Sequence, residues 1–179
     1  MITLDTAANQ PWKWQQPEAF QRFHRMTVDE REGATLRFEK NWGGTLASAV
    51  CAQGSWTFKR SGFLSPRITV RAPGSDTDLA TFSPKWTGGG ELWFSSGRRY
   101  VLKSLSFWGG DWAFEDERGL PVLTLHGPHG FLKNSGEIRV NTAAADPATL
   151  PILAILIWYV RLLMNEDAAT STACNVAVG

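Results

Sequence analysis

Fifteen consecutive residues near the end of the chain constrain its fold more than any other feature. They read Leu150, Pro151, Ile152, Leu153, Ala154, Ile155, Leu156, Ile157, Trp158, Tyr159, Val160, Arg161, Leu162, Leu163, Met164. A segment with no polar face is not an ordinary surface helix. It either crosses a bilayer or is wrapped on every side by protein. As a helix, Leu150–Met164 would extend roughly 22 Å, against about 30 Å of bilayer hydrocarbon. Arg161 inside it would add about 2.5–3.5 kcal/mol near mid-bilayer, less with snorkelling. A stretch this short is more often a buried core helix, the reading favoured here. A C-terminal anchor is the alternative that the residues leave open.

Nothing else in the chain has a strong helical pattern. From about residue 18 to 141, short apolar runs alternate with Gly, Ser, Pro and Asn turns, the spacing of an all-β sandwich or barrel. Within the runs the period is two: Leu36 and Phe38 share a face, as do Trp56 and Phe58, Ile68 and Val70, Leu92 and Phe94, Tyr100 and Leu102, Trp112 and Phe114, Leu123 and Leu125, and Ile138 and Val140. A weak repeat runs through them. Trp56-Thr-Phe58 is followed by Gly62, Leu92-Trp-Phe94 by Gly97, and Trp112-Ala-Phe114 by Gly119. Each reads as a hairpin unit whose glycine supplies a positive φ at the turn.

The 179 residues suffice for one domain, and 43% hydrophobic with 20% charged residues is a globular composition. The expected organisation is a loosely ordered arm at 1–17 that docks through Trp12 and Trp14, one domain at 18–166, and a disordered tail at 167–179. The central helix is expected at about 149–165, ending near Asn165-Glu166-Asp167, with Asp146 or Thr149 as its cap and Pro147 or Pro151 in its first turn. A sheet of about 12 antiparallel strands followed by one fully apolar helix has a simple solution. The sheet closes, which removes its edges, and the helix fills a lumen too wide for the barrel's own side chains. The expected fold is therefore mainly β, a closed antiparallel barrel enclosing a C-terminal hydrophobic helix.

On the Trp56-Thr-Phe58 and Trp112-Ala-Phe114 units, the sheet-rich body and the terminal Leu150–Met164 segment, residues 18–165 resemble the tubby C-terminal-like superfamily. The resemblance is to the branch of LURP-one-related and phospholipid scramblase-like proteins. It implies a closed barrel around a hydrophobic helix, and a head-group site built from Lys and Arg on barrel strands. For a scramblase it also implies an acidic calcium segment just before the helix, where this chain offers only Asp146.

Net charge is only +1, so no global field points to nucleic acid or membrane. Locally, residues 59–103 carry Lys59, Arg60, Arg67, Arg71, Lys85, Arg98, Arg99 and Lys103 against Asp76, Asp78 and Glu91. Seven of these cations, Lys59, Arg60, Arg67, Arg71, Arg98, Arg99 and Lys103, form the candidate anion or lipid head-group site. Lys59 and Arg60 are adjacent, so they point to opposite faces, unlike the alternating cations of tubby-like strands. The competing reading is a set of solvated strand faces.

The remaining motifs read as structure. Asp111 and Glu115-Asp116-Glu117-Arg118-Gly119 suit a charged hairpin turn, Asp76-Thr-Asp78 a turn, and Thr87-Gly88-Gly89-Gly90 a hairpin loop. His126-Gly-Pro-His129 lacks the further ligands of a zinc site, with His24 remote in sequence. Cys51 reads as a small core residue and Cys174 lies in a polar segment, so no disulfide framework is expected. No Gly-x-Ser-x-Gly elbow and no nucleophile–base–orienter set is present. Trp56, Phe58, Trp112 and Phe114 occupy inward alternation, which favours core over base stacking.

These readings predict a non-enzymatic binding module without cofactor or metal. Its expected partner is an anionic phospholipid or membrane surface, or a protein, and not nucleic acid. A tail-anchored protein with a cytosolic β-domain, or a scramblase-like protein, is the alternative. Met1-Ile-Thr-Leu-Asp5 lacks the pattern of a signal peptide, so the expected location is cytoplasmic, at most peripheral to a membrane.

Overall fold

The computed structural model describes residues 1–5, 7–18, 21–39, 44–62, 64–85, 88–106, 110–127 and 135–176, with side chains up to Ser171. The strands are β1 (Trp12–Gln15), β2 (Phe23–Val28), β3 (Arg31–Phe38), β4 (Ala47–Cys51), β5 (Gly54–Ser61) and β6 (Arg67–Arg71), then β7 (Asp78–Pro84), β8 (Gly90–Phe94), β9 (Arg99–Ser104), β10 (Asp111–Glu115), β11 (Pro121–His126) and β12 (Ser135–Val140). One helix, α1 (Leu150–Val176), follows. Each strand pairs antiparallel with its neighbours in sequence, and β1 pairs with both β2 and β12, which closes the barrel.

The inward residues are those of the period-two runs. Leu36, Phe58, Val70, Phe82, Leu92, Phe114 and Leu125 are fully buried, whereas Lys59, Trp93 and Lys103 on the alternate positions are exposed. The three repeat glycines, Gly62, Gly97 and Gly119, all have positive φ, as their turns require. The β2–β3 hairpin meets the same demand without glycine. Asp29 and Glu30 both lie in the left-handed region, at φ 49° and 62°.

The helix runs through the lumen. Every residue from Leu150 to Leu163 is buried. Strands from all round the wall touch it. Trp158 stacks on Trp14 of β1 at 5.8 Å between centroids and meets His24 of β2 edge-on at 5.9 Å. Tyr159 lies against Phe38 of β3 at 5.5 Å and Phe58 of β5 at 5.6 Å. Tyr100 of β9 shares a 2.8 Å hydrogen bond with Thr149 just before the helix. The segment that could have served as an anchor is thus occupied with the barrel. Among the described residues, no helix is long and apolar enough to cross a membrane.

Among the described residues, Arg161 is the one charged residue inside, 8% exposed. Its guanidinium donates to the Gly110 carbonyl at 2.9 Å, and a Cβ on Gly127 would lie 2.1 Å from its Nη1, so a glycine makes the room. Burial pulls its pKa below the ordinary arginine value, and the field of Asp111 opposes this.

Two boundaries differ from expectation. The arm expected at 1–17 contains β1. Its Trp12-Lys-Trp-Gln alternates in and out, and without it β2 and β12 would be open edges. The two tryptophans dock as expected, but as wall residues, 0% and 1% exposed. The N-terminal residues ahead of β1 close that end of the barrel, with Leu4 fully buried and Trp12 Nε1 donating to the Ala7 carbonyl at 2.9 Å. The second difference is at the other terminus. The helix does not stop near Asp167 but continues to Val176. The buried turns have already nucleated it, so each further residue adds a hydrogen bond at little cost. Arg22–Glu166 and Arg60–Asp167 ion pairs, both at 2.6 Å, tie the first exposed turn to the wall. At the helix start, the Asp146 carbonyl accepts from Leu150 N at 2.9 Å, its carboxylate accepts from Ala148 N at 3.2 Å, and Pro151 sits in the first turn.

Candidate functional site

The fold divides the seven candidate cations among four places. Lys59, Arg67 and Arg71 share the outer wall of β5–β6. Lys59 stands opposite Thr69, Arg67 opposite Ser61, and Arg71 opposite Thr57, so the three are diagonal neighbours on one face. Arg71 also bonds Asp78 at 2.5 Å. Arg99 and Lys103 lie on the outer wall of β9, with β7 and β8 in between. Arg99 is 3.3 Å from Glu91 and stacks over Trp93 at 5.3 Å, and Lys103 is 2.5 Å from Glu115. Arg60 and Arg98 point elsewhere and sit at opposite ends of the barrel. Arg60 makes two bonds to Asp167 where α1 leaves the lumen, at 2.6 and 3.0 Å, which hold its pKa above the ordinary arginine value. Arg98 pairs with Asp146 where the chain enters it. The seven cations therefore do not converge, and at least five of them have carboxylate partners.

The two ends of the barrel differ in character. At the entry end, the connecting segments hold Asp5, Asp29, Glu30, Asp76, Asp116, Glu117 and Asp146 against Arg98 and Arg118. Asp116 is part of the turn itself. Its carboxylate accepts from the backbone N–H of Arg118 and of Leu120, each at 2.9 Å, and the Leu120 bond does most to hold its pKa below the usual range. A cleft of about 330 Å³ at this end is lined by Arg98, Arg99 and Arg118, but also by Asp116 and Glu117, so its charges largely cancel.

At the exit end, large apolar side chains stand in solvent. Leu64 in the β5–β6 loop is 84% exposed, Leu105 after β9 is 52%, and Met164 on α1 is 40%. Lys59, Arg67 and Lys103 lie on the strand ends beside these loops, and Lys85 follows β7. Leu64 and Leu105 were not singled out from sequence, and Met164, the last residue of the segment expected to be buried, is exposed because the helix leaves the lumen there. A lone leucine in a loop carries no signal until the fold shows which loops share an end.

This end also has two clefts beside the emerging helix. One, of about 240 Å³, is lined by Ile68, Val160, Leu163 and Met164, with Arg60, Lys85 and Asp167 at its rim. The other, of about 190 Å³, reaches His24, Phe38 and Leu162 under the Arg22–Glu166 pair. His24 is 3% exposed, and burial, with the Arg22 charge, lowers its pKa to about 4. It was passed over in the sequence as remote from the other histidines. The inward alternation of His24, Met26 and Val28 was the available signal.

The other motifs are turns or core. His126 Nδ1 lies 3.4 Å from Asp111 and its partner His129 is outside the described residues, as are Thr87 and the Cys174 side chain. Among the described residues no cluster of three metal-ligating side chains exists, and Cys51 is buried and free. Its thiol pKa is raised by burial.

No protein-family model matches this chain, and neither does any curated protein or solved structure.

Proposed function

We propose that the protein is a non-enzymatic binding module that docks on anionic membrane surfaces by the exit end of its barrel. One observation carries the reading: Leu64, Leu105 and Met164 are exposed at the same end as Lys59, Arg67, Lys85 and Lys103, which stand there beside Glu18, Glu39, Glu166 and Asp167, whereas the connecting segments of the entry end hold seven carboxylates against two arginines. That polarity turns the exit end toward an anionic surface. Leu120 and Met1 are also exposed, but among the carboxylates of the entry end, which such a surface repels. Four cations contribute about 1 kcal/mol each near an anionic leaflet, and insertion of Leu64 about 2 kcal/mol. Carboxylate partners of Lys85 and Lys103, and the interaction Lys59 already makes, reduce the first figure. The binding is therefore weak and salt-sensitive. A closed barrel around a C-terminal helix also supports the resemblance to tubby-like proteins, although the cations used here differ from that family's alternating strand pattern.

Flotation with phosphatidylcholine vesicles, with and without phosphatidylserine, tests the reading. The protein should float only with phosphatidylserine and only at low salt. Leu64→Asp and the pair Lys59→Glu with Arg67→Glu should each abolish flotation. Equal recovery on neutral vesicles, or recovery unchanged by these substitutions, overturns the proposal.

A further inference from the structure

The 240 Å³ cleft at the exit end has a composition that a flat membrane contact does not explain. Its floor is apolar: Ile68, Val160 and Leu163 are 1%, 6% and 2% exposed, and Met164 forms the open side. Its rim carries two cations, Arg60 and Lys85. Arg60 already shows what it binds. The Asp167 carboxylate sits on its guanidinium with both oxygens engaged, at 2.6 and 3.0 Å, the fork geometry that favours planar two-oxygen anions. Asp167 is on the first exposed turn of α1, one turn past the cleft floor, and is 57% exposed. A competing carboxylate gives up at most about fivefold in affinity by displacing it, because exposed ion pairs contribute little.

We infer that this cleft binds a single-chain carboxylate amphiphile of the fatty-acid class. The chain lies along Ile68, Val160, Leu163 and Met164, and the carboxylate takes the place of Asp167 on Arg60. Lys85, 2.5 Å from Glu91 at the far rim, adds a second positive charge to the head-group side. The inference goes beyond membrane docking and does not depend on it.

Titration calorimetry with monomeric decanoate, decanol and decyltrimethylammonium tests it. Decanoate should bind with one-to-one stoichiometry and the ammonium should not bind. Arg60→Gln should weaken decanoate about tenfold or more, since a charge-assisted bidentate contact is lost. Asp167→Asn should tighten it, up to about fivefold, by removing the internal competitor. Met164→Glu should abolish binding while its thermal unfolding stays that of the parent. Absence of decanoate binding to both the parent and Asp167→Asn overturns the inference, as does equal binding of all three probes that is unchanged in Arg60→Gln. Vesicle flotation in the same variants separates the two proposals. Flotation without decanoate binding removes only this inference, and decanoate binding without flotation removes only the membrane reading.

Discussion

Acidification below pH 6.5 should destabilise the barrel through His24. The imidazole is 3% exposed, lies 5.9 Å from Trp158 and 6.3 Å from Phe38 between ring centroids, and is held neutral with a pKa of about 4. Its Nδ1 is buried with no hydrogen-bond partner among the described residues, so an added N–H would find no acceptor. In the unfolded chain the same group titrates near 6.5. The folded pKa is depressed and the group is a base. Above pH 6.5 both states are neutral and His24 has no effect on stability. As pH falls below 6.5 the unfolded state takes up a proton that the folded state refuses. Stability then falls by about 1.4 kcal/mol per pH unit, to a total loss of about 3 kcal/mol near pH 4. Urea unfolding followed by tryptophan fluorescence at intervals from pH 8 to pH 4.5 measures the slope. His24→Phe keeps a planar apolar ring in the site and should flatten the curve between pH 6.5 and 4.5. A parent protein whose stability is constant over that window, or a variant with the parent's slope, would refute the burial argument.

Two further substitutions probe the interior and the turns. Arg161→Met should cost under about 1 kcal/mol or stabilise the fold in urea unfolding, because among the described residues the arginine pairs with no carboxylate and hydrogen-bonds only the Gly110 carbonyl; a loss above about 3 kcal/mol would show that the cation is itself structural. Glu30→Gly should raise stability by about 1 kcal/mol in the same assay, since Glu30 holds φ 62° in the β2–β3 hairpin where an L side chain is strained; a destabilised variant would refute the strain.

What the sequence made legible was whatever rests on local period. The strands of the wall were readable because Ile68 and Val70, or Leu92 and Phe94, alternate with polar neighbours over five residues or more. The lumen helix was readable because Leu150–Met164 has no polar face to offer water. β1 was not, because four residues of Trp-Lys-Trp-Gln in a polar stretch are too short to carry a period; only the open edges of β2 and β12 require it. The continuation of α1 past Asp167 was hidden too, since Ala168 and Ala169, though good helix formers, give no apolar stripe and Thr170 and Ser171 have weak helix propensity. They follow a helix already formed, with the Thr170 and Ser171 hydroxyls bonded back to the Glu166 and Asp167 carbonyls at 2.9 Å. For the site, the sequence carried the excess of cations between residues 59 and 103 but not their neutralisation. Arg60 meets Asp167 across 107 residues and Arg98 meets Asp146 across 48, pairings that only the closed barrel creates. The exposure of Leu64 and Leu105 at one end has the same origin.

The helix α1 is the core of the barrel, and deletion of residues 149–179 tests that most directly. Eleven large apolar side chains between Leu150 and Leu163 are at most 6% exposed. At about 1.5–3 kcal/mol each, their burial exceeds the 5–15 kcal/mol net stability typical of a domain. The truncated chain should aggregate or lack a cooperative unfolding transition, while the full-length chain stays soluble without detergent. A truncated chain that is soluble and unfolds cooperatively, beside a full-length chain that needs detergent, would contradict the lumen helix and make the segment an anchor.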